Sequence, residues 1–309
     1  MPLLLLFVKL ILAVRNPFSK KKYLASLVNN AILVYRQNPE IVIGDYCRYV
    51  QELLLSKLGD IKKNIVIFYE CPGLGFLKYC VPSANIYLQI EHTLLKPQSS
   101  NTEFTFSGNL KILNQDKSYL VRIDNFDKLN QADVVFDYSR INLHNIRSST
   151  DLLAYSKKTF CISPAIYPLK LSTDGRSGVI TLFGNTNIPR RKLFLEDLDK
   201  HQVGSQNISG VYFGVEKVYE KAKIVINIRQ SDLYDTLEEL RVLPALRSGA
   251  IVICENAPYM RKTAYSQFVI WGSIEEIPSL IIEVERNYEA VHRRIFGDGS
   301  KNSNFVKRM

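Results

Sequence analysis

The stretch from Tyr219 to Glu255, YEKAKIVINIRQSDLYDTLEELRVLPALRSGAIVICE, constrains the fold more than any other part of the chain. Ala222 to Ile228 is a β-branched apolar run and reads as a strand buried on both faces. Leu237, Leu240, Val242, Leu243 and Leu246 follow the i, i+3, i+4, i+7 pattern of a helix with one buried face, and Gly249 stands where a left-handed C-terminal cap is expected. Ala250 to Cys254 is a second buried strand, and it ends on Glu255. Strand, helix and strand in this space form a βαβ unit, so the two strands are expected to be parallel. Ligands of such sheets bind beyond the carboxyl ends of the strands. That rule places Asn227, Arg229 and Glu255 at one rim, with Glu238, Glu239 and Arg241 on the helix that starts there. A helix N-terminus offers free N–H groups and a positive dipole end, and a guanidinium adds a bidentate donor, so this rim suits a phosphate. The plainer alternative is that Glu238 and Glu239 serve the helix dipole and that Arg241 pairs with Glu238 at i+3.

The rest of the chain repeats the same grammar. Tyr23 to Gln37 reads as a helix on Leu24, Leu27, Ile32 and Leu33, followed by a short strand at Glu40 to Gly44 and a helix at Tyr46 to Leu58. Asn64 to Tyr69 is a strand that opens into Gly73 and Gly75, a lone G-x-G that an ordinary turn explains as well as a ligand loop. Ala84 to Ile90 is a strand ending on Glu91, His92 and Thr93. Ser118 to Ile123, Asp133 to Phe136 and Thr159 to Ile162 read as further strands, the first two followed by Asp124 and Asp137. Carboxylates and imidazoles at strand ends can take a proton from a hydroxyl, or can simply be polar residues of βα loops. After a Pro-containing linker near Ser163 to Pro168, the pattern restarts with the strand Gly178 to Phe183. A loop with Gly184 and Asn185 then leads to Arg190, Arg191 and an amphipathic helix, a second place where a phosphate could be cradled. Ser209 to Phe213 reads as a short strand, Gln267 to Trp271 as the last one, and Ile274 to Phe296 as one long helix. Alternating strands and helices predict doubly wound parallel sheets, here in two domains, residues 1–165 and 166–309.

Composition narrows the partners. The chain has 309 residues, is 46% hydrophobic and carries a formal net charge of +10, which favours anions of any kind. Its basic residues are scattered in short clusters instead of one tract, which argues against a dedicated nucleic-acid protein. The five cysteines are odd in number and include no C-x-x-C pair, so a disulfide framework and a zinc site are not expected, and a reducing, cytoplasmic compartment is. The four histidines have no partner at metal-ligand spacing, and no metal is assigned. Met1 to Val14, MPLLLLFVKLILAV, is too short to span a bilayer and has neither the leading charge nor the cleavage site of a signal peptide. It is either a buried first element of the fold or an interfacial anchor at a membrane surface, next to the basic run Arg15, Lys20, Lys21, Lys22.

The strand and Arg190-Arg191 helix, then Val211-Tyr212-Phe213-Gly214, KAKIVINIR and E-E-L-R-x-L-P-A-L-R-S-G-A-I-V-I-C-E together resemble the carboxy-terminal donor half of GT-B glycosyltransferases of the group 1 type, over residues 178 to 290. The resemblance implies two Rossmann-like domains facing across a cleft. It also implies a nucleotide-sugar donor held by Gly184, Asn185, Arg190, Arg191, Asn227, Arg229, Glu238, Glu239, Arg241 and Glu255, with no cofactor and no metal. Transfer would go to a hydroxyl of a glycan or lipid-linked acceptor, in surface glycan or glycoconjugate synthesis. Glu91 or His92, and otherwise Asp124 or Asp137, would act as base. Thr236 and Pro244 stand where many retaining members carry two glutamates, so retention or inversion stays open. A non-catalytic α/β protein that binds a nucleotide or a phosphorylated sugar is the rival reading.

Overall fold

The computed structural model describes residues 2–15, 23–36, 44–58, 64–70, 82–90, 110–111, 121–122, 126–148, 152–164, 166, 172–183, 186–209, 214–229 and 234–297, and the account below is of these residues. The chain is a mixed α/β protein with two compact units, Met1–Tyr138 with Asn142–Ile162, and Ser139–Ile141 with Ser163–Met309. The first carries α1 (Pro2–Arg15), β1 (Tyr23–Val28), β2 (Ala31–Arg36), α2 (Gly44–Leu58), β3 (Ile65–Tyr69), β4 (Ser83–Gln89), β5 (Leu110–Lys111), β6 (Val121–Arg122), α3 (Phe126–Gln131) and β7 (Val134–Asp137). Then come α4 (Arg140–Ser148), α5 (Leu153–Ser156) and β8 (Thr159–Cys161). The second carries β9 (Val179–Thr181), α6 (Pro189–Lys200), β10 (Ser205–Asn207), α7 (Val215–Tyr219), β11 (Ile224–Asn227), α8 (Glu239–Arg247), β12 (Ile251–Glu255), β13 (Val269–Gly272), α9 (Ile277–Arg286) and α10 (Tyr288–Phe296).

The first sheet has the order β1-β2-β3-β4-β7-β8. All its neighbours are parallel except the β1–β2 pair. That pair corrects the helix expected over Tyr23 to Gln37. Val28 faces Ala31 across a two-residue turn, and Asn29 sits there with φ 50°. Asn tolerates left-handed backbone, so two consecutive asparagines between apolar runs favour a hairpin. Tyr23, Ile32 and Val34 then alternate onto one face, where they bury Val8 and Leu12 of α1 together with Val66 and Phe68. Each such side chain contributes roughly 1.5–3 kcal/mol by leaving water. On the opposite face the Tyr69 hydroxyl donates to the Cys47 carbonyl of α2 at 3.2 Å.

The second sheet has the order β10-β9-β11-β12-β13 and is parallel throughout. Its centre is the βαβ unit read from the sequence. Ile224, Val225, Ile226, Ile251, Val252 and Ile253 are all buried, as strands covered on both faces must be. Gly249 has φ 75°, and the bonds from its N–H to Leu246 and from Ala250 N–H to Ala245 close α8 in a Schellman cap. Two expectations are corrected here. The second strand in sequence is Ser205–Asn207, a polar edge strand that lacks the apolar signature of its neighbours; of the strand expected at Ser209 to Phe213, only Ser209 is described, and it is not in a strand. The helix expected from Ile274 to Phe296 is two, because Asn287 leaves helical backbone at φ −116°, ψ 26° and turns its amide onto the Glu283 carbonyl. Of the strand expected at Glu40 to Gly44 only Gly44 is described, and it begins α2; of the one expected at Ser118 to Ile123 only Val121 and Arg122 are described, and they form β6. No described helix is long and apolar enough to cross a membrane.

Candidate functional site

In the second sheet, β9 connects outward to β10 and the chain then returns to place β11 on the other side of β9. The strand order therefore reverses between β9 and β11. Helices leaving the two strands diverge at such a point and open a crevice at the carboxyl ends, where ligands of doubly wound sheets bind. The polar residues of this unit gather there.

Arg190 and Arg191 begin α6, just after β9, with Pro189 starting the helix, a position where the missing N–H costs nothing. Arg190 reaches over the sheet to Glu255 at the end of β12, where its Nη2 donates to Oε1. Arg229, two residues past β11, donates Nη2 to the same oxygen at 2.7 Å, and its backbone N–H donates to Oε2 at 3.1 Å. Its Nη1 donates to the Tyr234 carbonyl at 3.1 Å. Glu255 is thus a buried carboxylate gripped from α6 and from the β11 loop, a charge-assisted arrangement that fixes both guanidinium planes.

Arg191 lies with its guanidinium 5.1 Å from the centre of the Phe183 ring. Burial lowers its pKa, and the neighbouring Arg241 lowers it further, while Glu238 and Tyr234 act the other way. Arg241, in the first turn of α8, donates Nη1 to the Leu182 carbonyl at 3.3 Å, linking the helix after β11 to the end of β9. Its Nε is 3.1 Å from Glu238 Oε1, so the i+3 pair weighed from sequence forms as well. Around the reversal there are four guanidinium groups and the two carboxylates of Glu238 and Glu255. Two arginines held close in a partly dry crevice repel each other, and a polyanion entering there would relieve that repulsion.

Two other rim residues turn inward. Asn227 ends β11 and hydrogen-bonds the Cys254 thiol, whose pKa burial pushes well above its ordinary value. Glu239 is buried in α8, and its Oε1 accepts from the Ala264 N–H at 3.2 Å. Gly184, Asn185, Glu91, His92 and Asp124 lie outside the described residues. Asp137, at the end of β7, is buried and accepts from Asn142 Nδ2 at 3.0 Å.

Two further residues, neither marked by a local sequence pattern, order this sheet, one at each end of its strands. Asn207, at the end of β10, accepts from the Phe183 N–H and from the Thr181 hydroxyl, each at 3.0 Å, and so ties the end of β9 to β10. Its signal was absent because Ser-Gln-Asn does not read as a strand. Arg176, buried at the amino-terminal ends of β9, β11 and β12 and so at the opposite rim, donates to Ser172 O (2.8 Å), Tyr219 O (3.2 Å), Ala222 O (3.1 Å) and Ser248 O. A buried cation stapling four carbonyls leaves no local pattern in sequence. Among the described residues no group of His, Cys, Asp and Glu is placed to hold a metal ion.

The chain matches no protein-family model and no curated protein. It is similar to the solved structure of accessory secretory protein 1,2 and 3 of Streptococcus pneumoniae at 9% identity and a TM-score of 0.35, over 85% of this chain and 57% of that one. It is similar to the calicheamicin glycosyltransferase CalG4 at 12% identity and a TM-score of 0.31, over 80% and 74%. It is similar to UDP-GlcNAc 2-epimerase from Neisseria meningitidis at 14% identity and a TM-score of 0.33, over 82% and 76%. The fold itself is defined by strand order and pairing.

Proposed function

We propose that the arginine-lined strand ends of the second unit hold the diphosphate of a nucleotide-activated sugar, and that the chain is a metal-independent glycosyltransferase delivering that sugar to a hydroxyl acceptor. The observation that carries the reading is the convergence of Arg190, Arg191, Arg229 and Arg241 at the strand-order reversal. A departing nucleoside diphosphate gains negative charge in the transition state, and fixed guanidinium groups in a dry crevice stabilise that charge without reorganising. The acceptor hydroxyl needs a general base. The sequence offers Glu91, His92, Asp124 and Asp137, all within the first unit.

A thermal-shift series with UDP, GDP, ADP and CMP, repeated on Arg241→Ala, tests the binding step. Stabilisation by one nucleotide, lost in the variant, is expected; a shift that survives the substitution takes Arg241 out of the site. Radiolabelled nucleotide-sugar then separates transfer or hydrolysis from binding alone. Tight binding without turnover would favour the non-catalytic rival.

A further inference from the structure

We propose that α1 docks the protein on an anionic lipid bilayer through an apolar stripe that the fold leaves uncovered. The helix is apolar on two sides. Val8 and Leu12 face the hairpin and are 0% and 3% exposed, with Leu4, Leu5 and Ile11 partly buried beside them. On the other side Leu3 is 83% exposed, Leu6 64%, Phe7 45%, Leu10 64% and Val14 66%. At 3.6 residues per turn these five lie within an arc of roughly 100° along the helix. Isolated exposed leucines are ordinary, but five in one stripe form a contiguous surface that water does not favour.

The charge around the stripe selects its occupant. Lys9 is exposed on the helix, and Arg15, Lys20, Lys21 and Lys22 follow in sequence, with no Asp or Glu between Met1 and Lys22. An apolar helix face flanked by cations and free of carboxylates is complementary to a negatively charged lipid surface, where the side chains enter the acyl boundary and the lysines meet the headgroups. A second copy is disfavoured, since pairing two such helices would bring like charges together. Fourteen residues rise about 21 Å, too little to span the hydrocarbon core, so the helix lies in the interface. This inference does not depend on the donor site.

The test is co-flotation of the full chain with phosphatidylcholine vesicles, with and without about 30% phosphatidylglycerol. The anionic vesicles are expected to bind it about tenfold better, with the preference weakening as salt is raised. The double substitution Leu6→Glu and Leu10→Glu, on exposed positions, is expected to lower binding about tenfold while the melting temperature stays put. Lys20, Lys21 and Lys22 changed to Gln should erase the preference for anionic lipid. Leu10→Trp provides an independent reading if the double variant misfolds, as its emission should shift to the blue on anionic vesicles. Equal binding by wild type and variants, no spectral shift, or sedimentation as a dimer broken by the Leu6 and Leu10 substitutions would overturn the proposal, the last assigning the stripe to a second copy.

Discussion

The two parallel sheets are built from the same βαβ grammar and differ in strand order. From β2 to β8 the first sheet is laid down in one direction, whereas the second reverses between β9 and β11. The strand ends differ accordingly. In the first unit β3, β4 and β7 run out into Glu70, Gln89 and Asp137, all buried. Glu70 sits at φ 52° and takes the Leu88 N–H at 2.6 Å, and Asp137 takes the amide of Asn142, so both carboxylates are bonded inward. In the second unit the ends are lined with guanidinium groups reaching over the sheet. The contrast teaches that the reversal, and not the parallel sheet itself, assembles side chains from separate crossovers at one place.

Four experiments bear on that comparison, beginning with the largest effect. Arg176→Ala strips four carbonyls of their buried donor and is expected to destabilise the second unit by about 3 kcal/mol or more, read by chemical denaturation. The counterpart in the first unit is Lys158, a part-buried ammonium that donates to the carbonyls of Leu129, Asn130 and Ala132 and is untouched by this change. If the two units unfold in separate transitions, only one should move.

Arg191→Ala should weaken nucleoside-diphosphate binding by about 10–100-fold in calorimetry, through loss of a desolvated cation. Asp137→Asn, at the matching strand end of the first sheet, should leave that affinity unchanged. Equal losses from both would erase the distinction between the two rims.

Glu255→Gln releases one carboxylate from two guanidinium groups. The variant should lose about 1–3 kcal/mol of stability while binding pyrophosphate a few-fold tighter, because the anion no longer competes with Glu255. Weaker pyrophosphate binding would mean that the carboxylate orients the arginines more than it neutralises them.

The smallest effect concerns pH. His292 lies between Tyr288 and Phe296 and places Nε2 3.0 Å from the Gly249 carbonyl. Burial lowers its pKa below the ordinary value of 6.5, with Arg176 adding to the shift and the Gly249 bond opposing it. The unfolded chain therefore binds the proton more readily, and the stability from neutral His292 is complete above about pH 6.5 and declines as pH falls below it. Denaturation midpoints at pH 7 and pH 5.5 should differ less in His292→Phe than in wild type.

Much of this was legible in the chain. The runs around Ile224 and Ile251 and the leucines of α8 declare their structure locally, because burial on both faces or on one stripe imposes a period that each element carries by itself. Gly249 announces the cap in the same way. The hairpin at Asn29 was legible through its turn residues and obscured by leucines that also satisfy helical spacing. Polar β10 was not legible, since an edge strand needs no apolar face. The arginines were visible as residues but their partners were not. Glu238 lies one turn from Arg241, whereas Glu255 meets Arg190 across 65 positions.

The sequence by itself determined which segments are strands and helices wherever apolar periodicity was strong, and it marked the charged ends of those strands. Only the tertiary structure decided that β11 lies beside β9, that Glu255 unites Arg190 with Arg229, and that α1 keeps one apolar face outside. The physical reason is that periodicity records how each element meets its own surroundings. Which distant elements become neighbours depends on the order in which strands pair, and that order is a property of the whole packed sheet.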